Sequence, residues 1–160
     1  MTKTLLEERE EKGILQQGPY LSHSRISRYL HCPEQYRLYY IENLRPRFPS
    51  ASLVFGKIVH QALAALFQNG EEPVKAFQES WKAAHEVDLT YGQRDSWEKL
   101  SAAGEGLLRK FVEEELPRLA NVAATEKVFT LDITSLDLPF VGVIDLVADH
   151  HGKRTVVDFK

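Results

Sequence analysis

The sequence predicts an α+β fold, helical in its N-terminal part and followed by a three-stranded antiparallel meander. Three observations predict it. Between Ser24 and Leu116, apolar residues recur at helical spacing in segments parted by Pro and Gly. After Pro117 the pattern changes to that of strands, rich in Val, Ile and Phe. The turns between those strands are short enough for hairpins, which make neighbouring strands antiparallel.

Residues 1–21 are charged and weakly patterned, and Gly18-Pro19 ends any helix there. This stretch reads as a tail or peripheral helix and lacks the apolar core of a secretory signal. Ser24 is the expected cap of a short helix through Arg25, Ile26 and Leu30. Pro33 suits the first turn of a second, which carries Tyr36, Leu38, Tyr39 and Ile41. A long helix is expected from about Ser52 to Gln68, with Leu53, Gly56, His60, Leu63, Ala64 and Phe67 on one face, stopped by Asn69-Gly70. Further helices are expected from Pro73 to Val87 and from Arg94 to Leu116. Strands are expected over Glu126 to Ile133, Phe140 to Ala148 and Thr155 to Phe159. Turns fall near Ser135 to Pro139 and at His150-His151-Gly152, where the two adjacent histidines are expected to point apart as a plain polar turn.

A length of 160 residues suits one domain, and 43% hydrophobic content supplies a core. No uninterrupted apolar run reaches the roughly 18 residues of a membrane span, so a cytoplasmic protein is expected. The net charge of -3 does not announce a nucleic-acid binder, so any such role requires a local basic patch. One cysteine, Cys32, excludes an internal disulfide framework and a Cys-only zinc site. The predicted order stops on its third strand, which leaves a long edge and one sheet face uncovered. Residues 22–160 are therefore expected to be a domain incomplete at its C-terminus; a short protein closed by its own helices or by a partner is the alternative.

The last two strands carry the chemistry. Asp145 sits inside the apolar run Val143-Ile144-Asp145-Leu146-Val147, and Asp158 and Lys160 follow Val156-Val157. Residues two apart share a strand face, so Asp158 and Lys160 are expected to project together, with Asp145 brought near by the hairpin. Two like carboxylates need a neutralising cation, and hard oxygen donors suit Mg²⁺ or Mn²⁺. A cation there activates water and holds a phosphate oxygen, while a lysine beside it orients or deprotonates the water or stabilises developing charge.

Asp145 followed by Asp158-Phe159-Lys160 resembles the split signature of PD-(D/E)XK nucleases, and Gly142-Val143-Ile144-Asp145 resembles its form in RecB-like members. Phe55-Gly56-Lys57-Ile58-Val59-His60 resembles the helix motif of that branch, and Ser22 to Ile26 with Tyr29, Cys32-Pro33 and Tyr36 resembles its opening motif. The four pieces come in the family's order from Ser22 to Lys160. The resemblance implies metal ligation by Asp145, Asp158, His60 and the backbone carbonyl of Phe159, with Lys160 as catalytic lysine and Glu126 as an accessory acid. It implies a Mg²⁺- or Mn²⁺-dependent deoxyribonuclease of exonuclease type, acting in DNA repair, recombination or CRISPR adaptation, with DNA and a helicase or other nuclease-complex subunit as partners. The family's later Gln/Tyr motif has no counterpart here. Some RecB-like members, AddB among them, hold a 4Fe–4S cluster with one early and three late cysteines. Cys32 resembles the first, so this chain cannot complete such a cluster alone.

Each residue also has a plainer reading. His60 is a core histidine on an apolar face, although Gly56 one turn earlier suggests close packing there, for instance against the sheet carrying Asp145. Asp145 is a hairpin residue bonded to backbone, Asp158 and Lys160 form an exposed salt-bridged strand end, and Cys32 is a small buried hydrophobe. Between His23 and Arg47, Arg25, Arg28, Arg37, Arg45 and Arg47 interleave with Tyr29, Tyr36, Tyr39 and Tyr40. Arg25, Arg28, Tyr29, Tyr36 and Arg37 are the candidate DNA contacts, gripping phosphate and stacking bases. The plainer alternative is an amphipathic helix pair with packed rings and solvated guanidinium heads. At the level of function, the nuclease stands against a non-catalytic nuclease-fold module that binds DNA or a protein partner.

Overall fold

The computed structural model describes residues 19–159. Most of the N-terminal tail and Lys160 thus lie outside the described residues. Five α-helices and a three-stranded antiparallel sheet make up the described chain, an α+β fold. It divides into two compact units. One joins the described residues up to Pro46 with Val128–Val143; the other joins Arg47–Lys127 with Ile144 onward.

In the first unit, α1 spans His23–His31 and α2 spans Pro33–Tyr36, continuing through a π-helical turn at Arg37–Ile41. The cap of α1 is Ser22, not Ser24: the Ser22 hydroxyl accepts the Arg25 N–H at 3.3 Å from an extended backbone. Ser24 instead shares a hydrogen bond with the Ser22 hydroxyl. Cys32 caps α2, its Sγ accepting the Gln35 N–H at 3.4 Å, so it is a half-buried capping group rather than a buried hydrophobe. Leu21 pairs alongside Phe140, and Tyr20 packs with Val141 as the unit's buried pair.

The second unit holds the main core. Helix α3, Ala51–Asn69, ends at Gly70 in the left-handed conformation, as Asn69-Gly70 implied. By length and composition alone α3 is long and apolar enough to cross a membrane, although Lys57, His60 and Gln61 interrupt its apolar run. Its Ile58, Val59, Ala62 and Leu63 are instead buried in a core with Val74, Phe77, Trp81 and Leu108. Helix α4, Pro73–Ala84, starts where Glu72 accepts the Val74 and Lys75 amides. Helix α5, Trp97–Lys110, is capped by Ser96 and then widens into a π turn at Phe111–Glu115 and tightens at Leu116–Arg118. Pro117 has no N–H to donate to the ladder, which accounts for the helix ending at Arg118 but not for the π turn that begins at Phe111.

Strand β1 covers Leu119–Leu131, β2 Phe140–His150 and β3 Lys153–Val157, in the order β1-β2-β3. β1 begins well before the expected Glu126. Ala120, Asn121, Ala123 and Ala124 among its early residues carry little strand propensity, and pairing supplies what propensity lacks. Asn121 donates to Asp149 at 2.8 Å, while Arg154 reaches the Asn121 carbonyl at 3.0 Å and the Asp149 carboxylate at 3.0 Å. Both Asn121 (φ 45) and Glu126 (φ 51) adopt left-handed backbone within this strand. His151 (φ 49) and Gly152 (φ 74) form the two-residue β2–β3 turn with positive φ at both positions, as a type I′ hairpin requires. The rings of His150 and His151 do not diverge: their centroids lie 4.3 Å apart. The β2–β3 ladder runs from His150↔Lys153 to Leu146↔Val157, so β3 ends two residues before the expected Phe159.

Candidate active site

The next residues beyond the last rung of that ladder are Asp145 and Asp158. Asp158 therefore lies past the end of β3, and strand alternation does not govern its direction as the sequence pattern had suggested. What orders this segment is Phe159. Its ring stacks on Phe67 at 6.3 Å and meets Phe111 edge-on at 5.7 Å, and it packs against the main core. Its backbone N–H donates to Asp145 Oδ2 at 3.0 Å. The other carboxylate oxygen, Oδ1, lies 3.5 Å from Nδ1 of His60, and the His60 ring meets the Phe159 ring edge-on at 6.0 Å.

One carboxylate thus joins three elements: β2, which carries it; α3, which presents His60; and the chain leaving β3. Its side chain is 11% exposed against 27% for His60. A carboxylate so screened is stabilised by the amide and needs a positive or donor group on its other oxygen. The Oδ1–Nδ1 separation of 3.5 Å is wider than a good hydrogen bond. It also exceeds the ~3 Å expected between adjacent ligands of an octahedral cation held at ~2.1 Å, so the two groups would close up on binding one. An oxygen and an imidazole nitrogen fit a small divalent ion that keeps several waters. Among the described residues no group of three or more His, Cys, Asp or Glu gathers, so Asp158 is not drawn into a three-donor cluster with His60 and Asp145.

The sequence had pointed to the Phe159 carbonyl; the group that touches Asp145 is the Phe159 amide. A main-chain donor has no side-chain signature, so no residue pattern could have announced it. Gly56 also departs from expectation. A Cβ there would meet nothing within 4 Å, so it is not packed tightly against the sheet.

The Arg and Tyr residues of the first unit are stacked on one another. The Arg25 guanidinium lies 4.4 Å from the Tyr20 ring centre and 4.5 Å from that of Tyr40. Arg28 and Arg45 lie 3.6 and 3.7 Å from that of Tyr39. Tyr36 meets Tyr29 edge-on at 5.6 Å and Tyr40 at 5.1 Å. Burial pulls the Arg25 guanidinium down, and the Tyr20 and Tyr36 hydroxyls more than offset it. Arg37 is engaged otherwise, in ion pairs with Glu34 and Glu42, and its hydrogen bond holds the Glu34 carboxyl below the usual carboxylate range. Its charge is therefore largely neutralised locally, while Tyr29 remains 54% exposed.

A helix-backed antiparallel sheet with an acid inside an apolar strand and a helix histidine at that acid defines a nuclease-like α+β class. The chain belongs to the PD-(D/E)XK nuclease superfamily, whose sequence model matches residues 20–160. No curated protein sequence and no solved structure matches the chain. Members of this superfamily generally use divalent cations such as Mg²⁺, and the nuclease fold implies DNA as substrate.

Proposed function

We propose that this protein is a Mg²⁺- or Mn²⁺-dependent deoxyribonuclease of the RecB-like branch, of exonuclease type, with residues 22–160 forming its nuclease domain. The observation that carries the reading is Asp145, held by the Phe159 amide on one oxygen and faced by His60 on the other. His60 and Asp145 would hold the cation, with Asp158 and the Phe159 carbonyl as further donors. When bound, such an ion polarises a phosphate oxygen and lowers the pKa of its water.

This chain's own groups do the rest. The Phe159 amide fixes the Asp145 carboxylate in one orientation, so no reorganisation is needed when substrate arrives. The packed Phe159 ring holds the backbone next to Asp158. Lys160 orients or deprotonates the water for in-line attack at phosphorus, and stabilises charge as the P–O bond breaks. Glu126, on β1, is an accessory acid. Arg25, Arg28, Tyr29, Tyr36 and Arg37 contact DNA. The cellular role fits DNA repair, recombination or CRISPR adaptation in the cytoplasm, alongside a helicase or other nuclease subunit. Cys32 would ligate a 4Fe–4S cluster only where three further cysteines are supplied.

The test is Mn²⁺-dependent degradation of end-labelled single- and double-stranded DNA, with Lys160→Ala as control. Progressive shortening from an end, lost in Lys160→Ala, is the expected result. Retained DNA binding without cleavage would refute the catalytic reading in favour of a non-catalytic module.

A further inference from the structure

Among the described residues three glycines interrupt helix interiors: Gly56 in α3, and Gly104 and Gly106 in α5. A glycine there is a poor choice, because it loses more chain entropy than alanine and adds no packing. It persists where space or backbone conformation demands it. Gly104 has a steric reason, since a Cβ would overlap the ring of fully buried Phe77. Gly106 is exposed, and nothing lies within 4 Å of where its Cβ would sit. Gly56 belongs to neither case. It is half-buried, yet a Cβ would meet no atom within 4 Å, and its φ is not in the left-handed region. Neither its backbone nor any described neighbour requires a glycine.

Its position is informative. Gly56 lies one turn before His60, so both share a helix face. The His60 ring does not fill the space at Gly56, since no atom lies within 4 Å of where a Cβ would sit. Along this face run Leu53, which is 53% exposed, the gap at Gly56, and the half-buried Lys57 and His60. Beyond His60 comes the carboxylate of Asp145. The gap therefore adjoins the candidate site and is filled by nothing in the described protein.

We propose that Gly56 is a positioning residue, keeping this face of α3 clear so that the sugar–phosphate backbone of a DNA strand can lie against the helix beside His60. The inference rests on the nuclease reading above and extends it to how the strand is seated. A missing Cβ lets a bulky polymer approach the helix backbone closely, one of the uses of glycine at ligand surfaces.

The experiment compares Gly56→Ala, Gly56→Leu and, as control, Gly106→Ala. Thermal unfolding, Mn²⁺ calorimetry, DNA affinity with Ca²⁺ in place of the catalytic cation, and Mn²⁺-dependent cleavage are measured for each. Both alanine variants should gain helix propensity and unfold about 2–4 °C higher. Gly106→Ala should bind and cut DNA as the unaltered protein does. Gly56→Ala should keep its Mn²⁺ affinity but bind DNA about 5- to 100-fold more weakly, the range for forcing one extra carbon into a filled contact. The loss should fall on KM more than on kcat, and Gly56→Leu should lose more. A more stable variant that binds DNA less well cannot be explained by misfolding. Unchanged DNA affinity in Gly56→Ala would overturn the proposal while leaving the nuclease reading intact. So would a fall in its unfolding temperature, which would mean the protein itself fills the gap, or a parallel loss of Mn²⁺ binding, which would mean the glycine acts on His60. If the unaltered protein neither binds nor cuts DNA, the nuclease reading fails and this inference with it.

Discussion

Asp145→Ala and Asp145→Asn separate two jobs that one carboxylate performs. Oδ2 accepts the Phe159 amide at 3.0 Å in a site where the side chain is 11% exposed. Hydrogen bonds to charged groups contribute a net ~1.5–3 kcal/mol, and a part-buried amide left without its acceptor loses that much again only if water cannot reach it. Alanine should therefore cost about 2 kcal/mol. With a urea slope of ~2 kcal/mol per molar, typical of small proteins, the unfolding midpoint should fall by about 1 M. Asparagine can still offer its amide oxygen to the Phe159 N–H, so it should retain about half of that stabilisation as a neutral bond. It cannot supply the negative charge that a hard cation requires. In the unaltered protein, Mn²⁺ at a hundred times its Kd should stabilise by ~2.7 kcal/mol through linkage. Both variants should lose this response, and calorimetry should show the tighter Mn²⁺ site gone in each. A wild-type urea midpoint in Asp145→Ala would refute the amide latch. Wild-type Mn²⁺ affinity in Asp145→Asn would refute the ligand role while leaving the latch standing.

Gly104→Ala should destabilise in spite of its better helix propensity. The new methyl collides with Phe77, which is fully buried and stacked on Trp81 at 6.0 Å, so overpacking of ~1–3 kcal/mol outweighs a propensity gain of about 1; adding Phe77→Leu should restore part of the loss, and additive effects in the urea double-mutant cycle would refute the collision. Arg25→Ala with Arg28→Ala should flatten the salt dependence of DNA affinity if these groups release counterions, and should lower stability by ~1–2 kcal/mol because their guanidinium groups also lie on Tyr20, Tyr39 and Tyr40. Lower stability with an unchanged salt slope would assign the cluster to packing alone.

The helices were legible because their signals are local. Pro73 starts α4, and Asn69-Gly70 ends α3, each through chemistry confined to a few residues. A tight turn at His150-His151-Gly152 was legible for the same reason, though not its type I′ form over His151-Gly152. The start of β1 was not, because Asn121 is held by Asp149 and Arg154, partners far along the chain whose pairing no window of sequence displays. The end of β3 was not legible either, because Asp158 and Phe159 continue an alternating pattern although the ladder stops at Val157. Ser22 and Ser24 are equally good caps by type, and only backbone geometry decides between them.

The glycines make the sharpest contrast. Gly56 and Gly104 carry the same propensity cost, and a sequence pattern suggests close packing at either. The tight neighbour belongs to Gly104, and Gly56 faces a gap. Composition can say that an anomaly exists without saying whether it is filled. Asp145 was legible for a related reason: an acid between Ile144 and Leu146 is too costly to bury without a partner, so its presence demanded one. The sequence supplied a side-chain partner, His60, through a resemblance. The other partner is the amide of Phe159, which every residue but proline possesses, and its role comes from the Phe67 and Phe111 rings that hold Phe159 in place. The site's acid is therefore readable as chemistry, while its orientation depends on aromatic packing behind it. Substitutions of Phe67 or Phe111 should accordingly be judged by their effect on Asp145 as well as on the core.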